Sequence, residues 1–372
     1  MSVLTRRHSL FNSPKSVLMA SLSAAIVFCF HSQALAQTPP ATASQTQQQE
    51  LFEGSYADLA MGTLVSVRLF APQEKTVDEA IKLFESKVGE YATLFTVHDQ
   101  GPLNEVNVRA GSWVDVDCRV AGLVDKAKQL AKDSDRAFEP TIGTLVNVWK
   151  IGFGGTKHPD KKDIDAALKK VDYRQIQTDL TPGACRVKIN AGQSLDLGAI
   201  AKGWIGTALI KDIASVGVTN AIVDLGGNVA LLGQSTAGRK WRVGVQRPDA
   251  ERGTTMAVIE GKDESIITSG AYERKIESEG KRYGHILSVK TGEPVGTDIG
   301  SVTIVDADGA KADGWCTALF AMGTQKAVEM LKKHKDLNAF IVDDQLKRAW
   351  VSKSLADRVT LLENSITITV VD

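Results

Sequence analysis

The sequence lacks net charge and several residue patterns that mark common binding sites. Its 44 basic side chains balance 44 acidic ones, so no overall electrostatic field favours nucleic acid or an anionic membrane. Only 4 of the 372 residues are cysteine, and because no CxxC pair or Cys–His cluster occurs, a zinc site is disfavoured. The glycine-rich loops GxGxxG and GxxxxGK(S/T) are also missing, which argues against the nucleotide-binding folds that depend on them.

Proline is scarce, and neither an internal repeat nor a coiled-coil heptad occurs. With 10 prolines and 43% hydrophobic residues, the composition is typical of a globular chain that buries a large core. The length allows one large domain or two closely joined lobes. Residues 37–50 are rich in Gln, Thr, Ala and Pro and predict a flexible linker, so we expect the folded body to span residues 51–372.

No apolar run is long enough to cross a bilayer. The stretch from Val17 to Phe30 is shorter than the roughly 20 residues that a transmembrane helix needs, and no stop-transfer flank follows it. It comes after Arg6 and Arg7 and before Ala34-Leu35-Ala36, which is the order of regions in a secretory signal. We therefore predict a signal peptide at residues 1–36, export to the periplasm, and no stable membrane insertion after cleavage. The general secretory and twin-arginine routes both remain open.

Signal cleavage would remove Cys29 and leave three cysteines, so at least one thiol is free. Cys316 lies among apolar helix residues, and we interpret it as a packing residue. Cys118 and Cys185 stand in polar surroundings. They can form a disulfide in an oxidising compartment, but the sequence does not give their separation.

Helical and strand-like segments are mixed along the chain. The closely spaced strands between residues 221 and 305 argue against repeated βαβ units, so we predict an α+β fold with a largely antiparallel sheet and packed helices. A Thr76–Glu79 capping box predicts where the first helix begins. Periodicity predicts helices at Thr76–Tyr91, Val120–Ala131, Asp163–Val171 and Ile200–Ala214, and strands at Met61–Phe70, Ala221–Leu225, Trp241–Gln246 and Ser301–Val305.

Asp313 and Thr317 form the most informative pair of polar residues. Both lie in KADGWCTALFAMG, where apolar spacing predicts a helix that Gly323 closes. Residues four apart on a helix project from one face, so the pair offers a carboxylate and a hydroxyl to a hard cation. An exposed helix can carry the same pair with no metal, so the spacing alone does not decide.

Other segments place polar groups beside flexible backbone. In LDLGAIAKG, residues 195–203, a turn leads into a helix whose first N–H groups can receive a phosphate, with Lys202 as a cation and Asp196 as an acceptor. A tight turn packed between a strand and a helix is the alternative. His285 stands in a strand-like run and suits a general base, although a structural histidine is the commoner case. Glu139-Pro140-Thr141 either lines a site or connects to the core.

Eight ordered segments together resemble the FAD:protein FMN transferases of the ApbE type. They are MGTLVSV, EPTIGTLVNVWKIG, LDLGAIAKG, VDLGGNV, WRVGVQRP, TSGAYERKIE, GHILSVKTGEPV and KADGWCTALFAMG. The resemblance covers roughly residues 58–325 and implies an exported α+β enzyme with an ApbE-like fold. Such an enzyme attaches FMN from FAD to a Thr or Ser of a client flavoprotein and releases AMP. The expected clients are respiratory or reductase flavoproteins with an FMN-binding domain, and no nucleic acid is involved.

The same resemblance assigns roles to individual residues. It implies that Mg²⁺ binds Asp313, Thr317 and the Ala199 carbonyl, and that FAD is the substrate. His285 or a nearby carboxylate would accept the client's proton, and Asp313 would act through the metal. The positions that would contact the flavin nucleotide are Met61, His98, Glu139, Pro140, Thr141, Asp196, Lys202 and Leu287.

Three departures from the family pattern bear on turnover. Glu139 stands where Asp is usual, Ser288-Val289 replaces the common Asp-Pro, and Ala271 replaces a frequent acidic residue. They favour one alternative to the transferase hypothesis, a noncatalytic periplasmic flavin carrier. A second alternative is an FAD pyrophosphatase, in which water replaces the client hydroxyl and free FMN and AMP are released.

Overall fold

The computed structural model of this protein describes residues 3–4, 51–270, 275–278 and 280–372. The predicted signal peptide, apart from Val3–Leu4, and the predicted linker lie outside the described residues. The strands are β1 (Val3–Leu4), β2 (Phe52–Ala60), β3 (Thr63–Ala71), β4 (Val114–Asp115), β5 (Gln177–Asp179), β6 (Arg186–Lys188), β7 (Asn220–Leu225), β8 (Asn228–Leu232), β9 (Trp241–Gln246), β10 (Thr255–Gly261), β11 (Ser265–Gly270), β12 (Lys275–Ser278), β13 (Lys281–Gly284), β14 (Ile299–Asp306), β15 (Asn338–Asp343), β16 (Arg348–Ser352), β17 (Val359–Leu361) and β18 (Thr367–Val371).

Eight α-helices accompany these strands in the described ranges. They are α1 (Glu74–Phe95), α2 (Pro102–Val108), α3 (Cys118–Asp133), α4 (Gly143–Trp149), α5 (Lys161–Leu168), α6 (Ala201–Ser215), α7 (Gly309–Met322) and α8 (Thr324–Lys333), with 3₁₀ turns at Tyr173–Gln175 and Ala356–Arg358. The predicted helices and strands are present with boundaries shifted by a few residues, apart from the strand-like run at His285.

The main sheet has 10 strands in the order β1-β2-β3-β7-β8-β11-β14-β15-β16-β18. Every neighbouring pair in it is antiparallel except β16 with β18. Smaller sheets are formed by β17-β10-β9, by β12-β13 and by β4-β6-β5. The predicted α+β fold with a largely antiparallel sheet is confirmed.

Helices cover one face of the main sheet, and the sheet of β9, β10 and β17 covers the other. Val302 and Ile304 of β14 belong to the core beneath the helices, whereas Val305 packs with the second sheet. This division follows from the strand period of two, which sends successive side chains to opposite faces. Because both faces of β14 are covered, it is buried from Ile299 to Val305.

The start of the first long helix differs from the sequence prediction. Helix α1 begins at Glu74, its N-cap is Gln73, and no side chain caps it, so the predicted Thr76–Glu79 capping box is wrong. The apolar face of α1, which includes Phe84, is buried in the main core, and this packing stabilises the helix without a side-chain cap. In the described part of the chain, no helix is both long and apolar enough to cross a membrane.

Helices α6 and α7 cross at two glycines. A Cβ atom added to Gly203 would lie 2.0 Å from the Gly309 carbonyl oxygen, and one added to Gly309 would lie 2.2 Å from the Gly203 carbonyl oxygen. Neither position therefore has room for a side chain, and the two backbones touch. This contact fixes how the first turn of α6 meets the first turns of α7.

We expect Gly203→Ala to lower the free energy of unfolding by about 1–3 kcal/mol, because the added methyl group forces the two helices apart. Denaturant unfolding measures this change. Gly122→Ala in α3 is the matched control, since an added Cβ there has nothing within 4 Å. It should stabilise the protein by about 0.5–1 kcal/mol through helix propensity. Equal effects of the two substitutions would contradict the close crossing.

Cys118 and Cys185 form a disulfide, with Cα atoms 5.1 Å apart and a sequence separation of 67. The bond joins the start of α3 to the residue before β6. Cys316 is free and buried, as the packing interpretation predicted.

Removing this bond with the double variant Cys118→Ala/Cys185→Ala should lower the free energy of unfolding by about 4 kcal/mol in the chain-entropy model, given the 67-residue separation. Thermal and denaturant unfolding measure the loss. Reductant should destabilise the wild type and leave the double variant unchanged. A wild type that is insensitive to reductant under unfolding conditions would contradict the assignment.

Candidate active site

Asp313 lies one turn inside α7 and is held in a fixed position. Asp308 caps the helix by accepting a hydrogen bond from the Lys311 N–H, and Gly323 ends it with φ of 76°. The Asp313 side chain is 3% exposed, and its Oδ2 accepts a hydrogen bond of 2.9 Å from the Gly203 N–H. Thr317 follows one turn later and is half-buried, so the predicted pair shares one face of a helix.

The hydrogen bond to Asp313 satisfies a donor in the first turn of α6. Helix α6 has Ile200 as its N-cap, so the Gly203 N–H is one of the N-terminal donors that have no acceptor within the helix. It donates to Asp313, and in the described chain no backbone N–H is directed to the Ala199 oxygen in the turn that precedes the helix. The contact therefore positions a carboxylate at the start of α6, and the Ala199 carbonyl oxygen is available in the preceding turn.

These groups have the chemistry of a site for a hard cation. The second Asp313 oxygen, the Thr317 hydroxyl and the Ala199 carbonyl are all oxygen ligands, which Mg²⁺ and Ca²⁺ prefer. Within the described residues, no group of three or more His, Cys, Asp or Glu side chains could hold a metal. A cation at this position would thus have a single carboxylate, and substrate phosphates and water would complete its coordination, as is usual for Mg²⁺.

Cys316 is next to this pair but takes no part in it. Its Sγ donates a hydrogen bond of 3.0 Å to the Ile267 carbonyl oxygen. Burial raises the pKa of the Cys316 thiol, and the negative charge of Asp313 raises it further. The thiol therefore stays protonated and serves packing, not metal binding or nucleophilic attack.

Two segments that are distant in sequence meet in front of α6. The Asp196 N–H donates a hydrogen bond of 2.9 Å to the Pro140 carbonyl oxygen, and Ile142 pairs with Ser194 as a parallel bridge. Asp196 Oδ1 accepts a bond of 2.8 Å from the Gly198 N–H, which shapes the turn before the helix. The structure thus brings together the residues predicted at 139–141 and at 195–203.

Lys202 lies at the exposed start of α6. Its ammonium group donates a hydrogen bond of 3.4 Å to the Gly198 carbonyl oxygen, so the lysine side chain folds back over the turn before the helix. Within the described residues, no hydrogen bond connects this ammonium to a carboxylate. It is therefore placed to attract an anion at the helix N-terminus, where backbone N–H groups also favour negative charge.

Glu139, a predicted nucleotide contact, is held by hydrogen bonds within its own loop. Its Oε1 accepts hydrogen bonds from the Thr141 N–H and hydroxyl, and its Oε2 accepts from the Tyr173 N–H and from Arg136. The Thr141 hydroxyl also accepts from the Asp172 N–H at 2.8 Å. Both side chains are therefore occupied in holding this loop. The longer reach of Glu, compared with Asp, lets one carboxylate connect these donors.

Met61 lies in a strained turn at the edge of the sheet. Met61 and Gly62 join β2 to β3 with φ of 52° and 71°, which matches a type I′ hairpin turn. The turn stands beside a second glycine turn, since a Cβ on Gly226 would lie 2.1 Å from the Thr63 hydroxyl. Residues other than glycine rarely adopt a positive φ, and such strained positions cluster at functional sites.

The sequence predicted a strand-like run for His285 and Leu287, but both lie outside the strands of the structure. Strand β13 ends at Gly284, and half-buried His285 follows it in a bend. Leu287 makes only an isolated bridge with Pro294, and its side chain packs in a separate apolar cluster with Trp149. Only the backbone of Leu287 is left to contact a ligand.

A cleft of about 600 Å³ opens next to Asp196, between α2, α4 and α5. Its walls include Val97, Thr144 and Ser194, and its volume is in the usual range for a small-molecule site. The exposed His98 is adjacent to Val97, and its ring stacks on Phe153 with centroids 4.1 Å apart.

Asn107 also lines the cleft and was missed in the sequence. Its side-chain amide donates to the Leu195 carbonyl oxygen at 2.9 Å and accepts from the Leu195 N–H at 2.7 Å. This pairing fixes the strand-like segment next to Asp196. No local pattern could have found it, because 88 residues separate the two partners.

Comparison with known proteins gives a consistent result. The profile of the ApbE family matches residues 61–341. The chain is 34% identical over 330 residues to an FAD:protein FMN transferase of Treponema pallidum, covering 84% of this chain and 90% of that protein. It is 33% identical to an FAD:protein FMN transferase of Klebsiella pneumoniae, covering 77% of this chain and 88% of that protein.

Solved structures show the same relationship. The ApbE protein of Thermotoga maritima superposes with a TM-score of 0.73 at 29% identity, covering 83% of this chain and 99% of that one. The apo flavinyl transferase ApbE of Pseudomonas stutzeri superposes with a TM-score of 0.68 at 26% identity, covering 79% and 92%. Because sequence and fold agree over most of its length, this chain belongs to the ApbE family.

Proposed function

We propose that this protein transfers FMN from FAD to a Thr or Ser hydroxyl of a client flavoprotein and releases AMP. The observation that carries the proposal is the hydrogen bond from the Gly203 N–H to Asp313, which sets a carboxylate and a free carbonyl at a helix N-terminus. Relatives that share a third of the sequence are named for this reaction.

The transfer exchanges the phosphoanhydride linkage of FAD for a phosphoester linkage to the client. The client hydroxyl oxygen attacks the phosphorus on the FMN side of the pyrophosphate, a new P–O bond forms, and the P–O bond to AMP breaks. Asp313, Thr317 and the Ala199 carbonyl would hold Mg²⁺, which neutralises the pyrophosphate and the departing AMP. Lys202 supports this by adding positive charge at the start of α6.

The proton of the attacking hydroxyl needs an acceptor, and we propose His285 or a nearby carboxylate for this role. His285 is half-buried on a bend, so its ring can meet both solvent and a docked client. Positioning and electrostatics carry much of the acceleration in phosphoryl transfer, so the demand on the base is modest.

We assign the predicted FAD-binding residues to two roles, direct contact with FAD or support of the site, according to their surroundings. Asp196, Lys202 and the Pro140 backbone border the start of α6, Met61 lies in the turn between β2 and β3, and the cleft beside Asp196 is large enough for one half of the dinucleotide. His98 can add a stacking ring at the cleft mouth. Glu139, Thr141 and Leu287 support the site through packing and hydrogen bonds within the protein.

The predicted signal peptide places the reaction in the periplasm. Suitable clients are then respiratory or reductase flavoproteins with an FMN-binding domain outside the cytoplasm. The disulfide between Cys118 and Cys185 supports this location, because disulfides persist in oxidising compartments.

Incubating the purified protein with FAD, Mg²⁺ and an FMN-binding client should raise the client's mass by that of FMN less water and release AMP. Intact-protein mass spectrometry and chromatography measure the two products. Chelation of Mg²⁺ should stop both. Free FMN with no client adduct would instead identify a pyrophosphatase, and tight FAD binding without AMP release would identify a carrier.

Asp313→Ala and Asp313→Asn separate the metal role of this residue from its structural role. The alanine variant leaves the buried Gly203 N–H without an acceptor and should lose about 1–3 kcal/mol of stability. The asparagine variant keeps a side-chain oxygen for that bond and should stay close to wild-type stability. Both should lose AMP release by about 100-fold or more, since the proposed metal ligand loses its charge.

Asp336→Asn is the matched control for these variants. Asp336 is an exposed carboxylate that pairs with Lys311 on the surface, so its loss should alter neither activity nor stability measurably. Undiminished AMP release by Asp313→Asn would remove the charge of Asp313 from the mechanism.

A further inference from the structure

Asn228 has a buried amide group without a protein partner. The residue is 5% exposed, and its Nδ2 makes no hydrogen bond with any part of the chain that the structure describes. A buried amide donor without an acceptor costs about 1–3 kcal/mol. Such a cost in a native fold calls for a compensating partner, and a bound ligand is one that supplies it.

The strand pattern directs this side chain toward α6. Asn228 and Ala230 are two residues apart in β8, so they point to the same face of the sheet. Ala230 meets α6 there, because a Cβ on Gly206 would lie 3.3 Å from the Ala230 Cβ. The opposite face carries Val229 and Leu231, which pack against the second sheet. Asn228 therefore faces the helix layer.

The topology places Asn228 beneath the N-terminal end of α6. The C-terminus of α6 leads directly into β7, and β7 then turns at Gly226-Gly227 into β8. Helix α6 therefore runs parallel to β8. The two residues from Ala230 back to Asn228 along the strand cover about the same length as the one helical turn from Gly206 back to Lys202. Neighbouring β11 pairs Ile267 with Asn228, and Ile267 in turn accepts the hydrogen bond from Cys316 of α7.

The first turn of α6 also has a donor without a described partner. The Ala201 N–H donates to Leu197, the Gly203 N–H to Asp313, and the Trp204 N–H to Ile200. Among the described contacts, none satisfies the backbone N–H of Lys202. A neutral amide and a helix N-terminal N–H are both donors suited to an anionic oxygen.

We propose that Asn228 binds a phosphoryl oxygen of the dinucleotide substrate through its Nδ2 group, together with the Lys202 N–H. This rests on the proposed function, since it adds a contact to the same substrate. The amide supplies hydrogen bonds to the pyrophosphate without adding charge to the site. The role is one of substrate binding and leaves the flavin ring untouched.

The test compares FAD with riboflavin, which has the flavin ring but no phosphate. Asn228→Leu should weaken FAD binding about tenfold or more, the effect of one hydrogen bond to a charged group, and leave riboflavin binding unchanged. Calorimetry in Mg²⁺ buffer measures both affinities. The melting temperature of the free protein should equal or exceed that of the wild type, because an unpartnered polar group is removed.

Asn338→Leu is the control variant, and its expected result is the opposite of that for Asn228→Leu. The Asn338 side chain has a partner, donating to the Val305 carbonyl oxygen at 3.1 Å, so this variant should lose stability and keep its affinity for FAD. Asn228→Ala provides a second, smaller substitution with the same expected loss of FAD affinity. Unchanged FAD affinity, an equal loss for riboflavin, or failure of both Asn228 variants to fold would each overturn the inference.

The outcomes also separate this inference from the proposed function. If the wild type transfers FMN and Asn228→Leu binds FAD as tightly as the wild type, only the role of Asn228 is wrong. If the wild type neither binds FAD nor forms a client adduct, the proposed function itself is wrong.

Discussion

The hydrogen bond between Asp313 and the Gly203 N–H is the contact on which the candidate site depends. It requires α6 and α7 to touch, and glycine at both 203 and 309 allows this by leaving no side chain between the backbones. Through this one bond, a buried carboxylate is tied to the first turn of α6, which follows the turn that carries the Ala199 carbonyl. The resulting cluster of oxygens is stable only while the helices remain crossed.

The remaining parts of the site are also held by hydrogen bonds between residues that are far apart in sequence. The segment at Asp196 is fixed by Pro140 on one side and by the side chain of Asn107 on the other. Glu139 stabilises the loop that carries Pro140 by accepting hydrogen bonds from several neighbouring groups. Loops that are supported in this way can keep a ligand geometry that isolated loops would lose.

The departures from the family pattern differ in their consequences. Glu139 is accommodated, because its extra methylene group extends a carboxylate into a buried network and not toward the cleft. The Ser288 N–H donates a hydrogen bond to the Glu293 carbonyl oxygen within the turn after His285. Ser288 is neutral, whereas the family commonly carries a charge at this position. Ala271 lies outside the described residues. The described hydrogen bonds of Glu139 and Ser288 do not involve Asp313 or Gly203.

The sequence by itself determined the class of the fold, most of the regular elements, the helix of Asp313 and Thr317, and the family resemblance, because these follow from local periodicity and ordered motifs. It misjudged the start of α1 and the strand after His285, where tertiary packing outweighs local signals. Only the tertiary structure decided that Asp313 accepts from Gly203, that Glu139 turns inward, that Cys118 pairs with Cys185, and that the Asn228 Nδ2 group has no hydrogen-bond partner among the described residues. Each of these depends on which distant atoms come into contact, and hydrogen bonds and close packing act over a few ångströms whatever the separation in sequence.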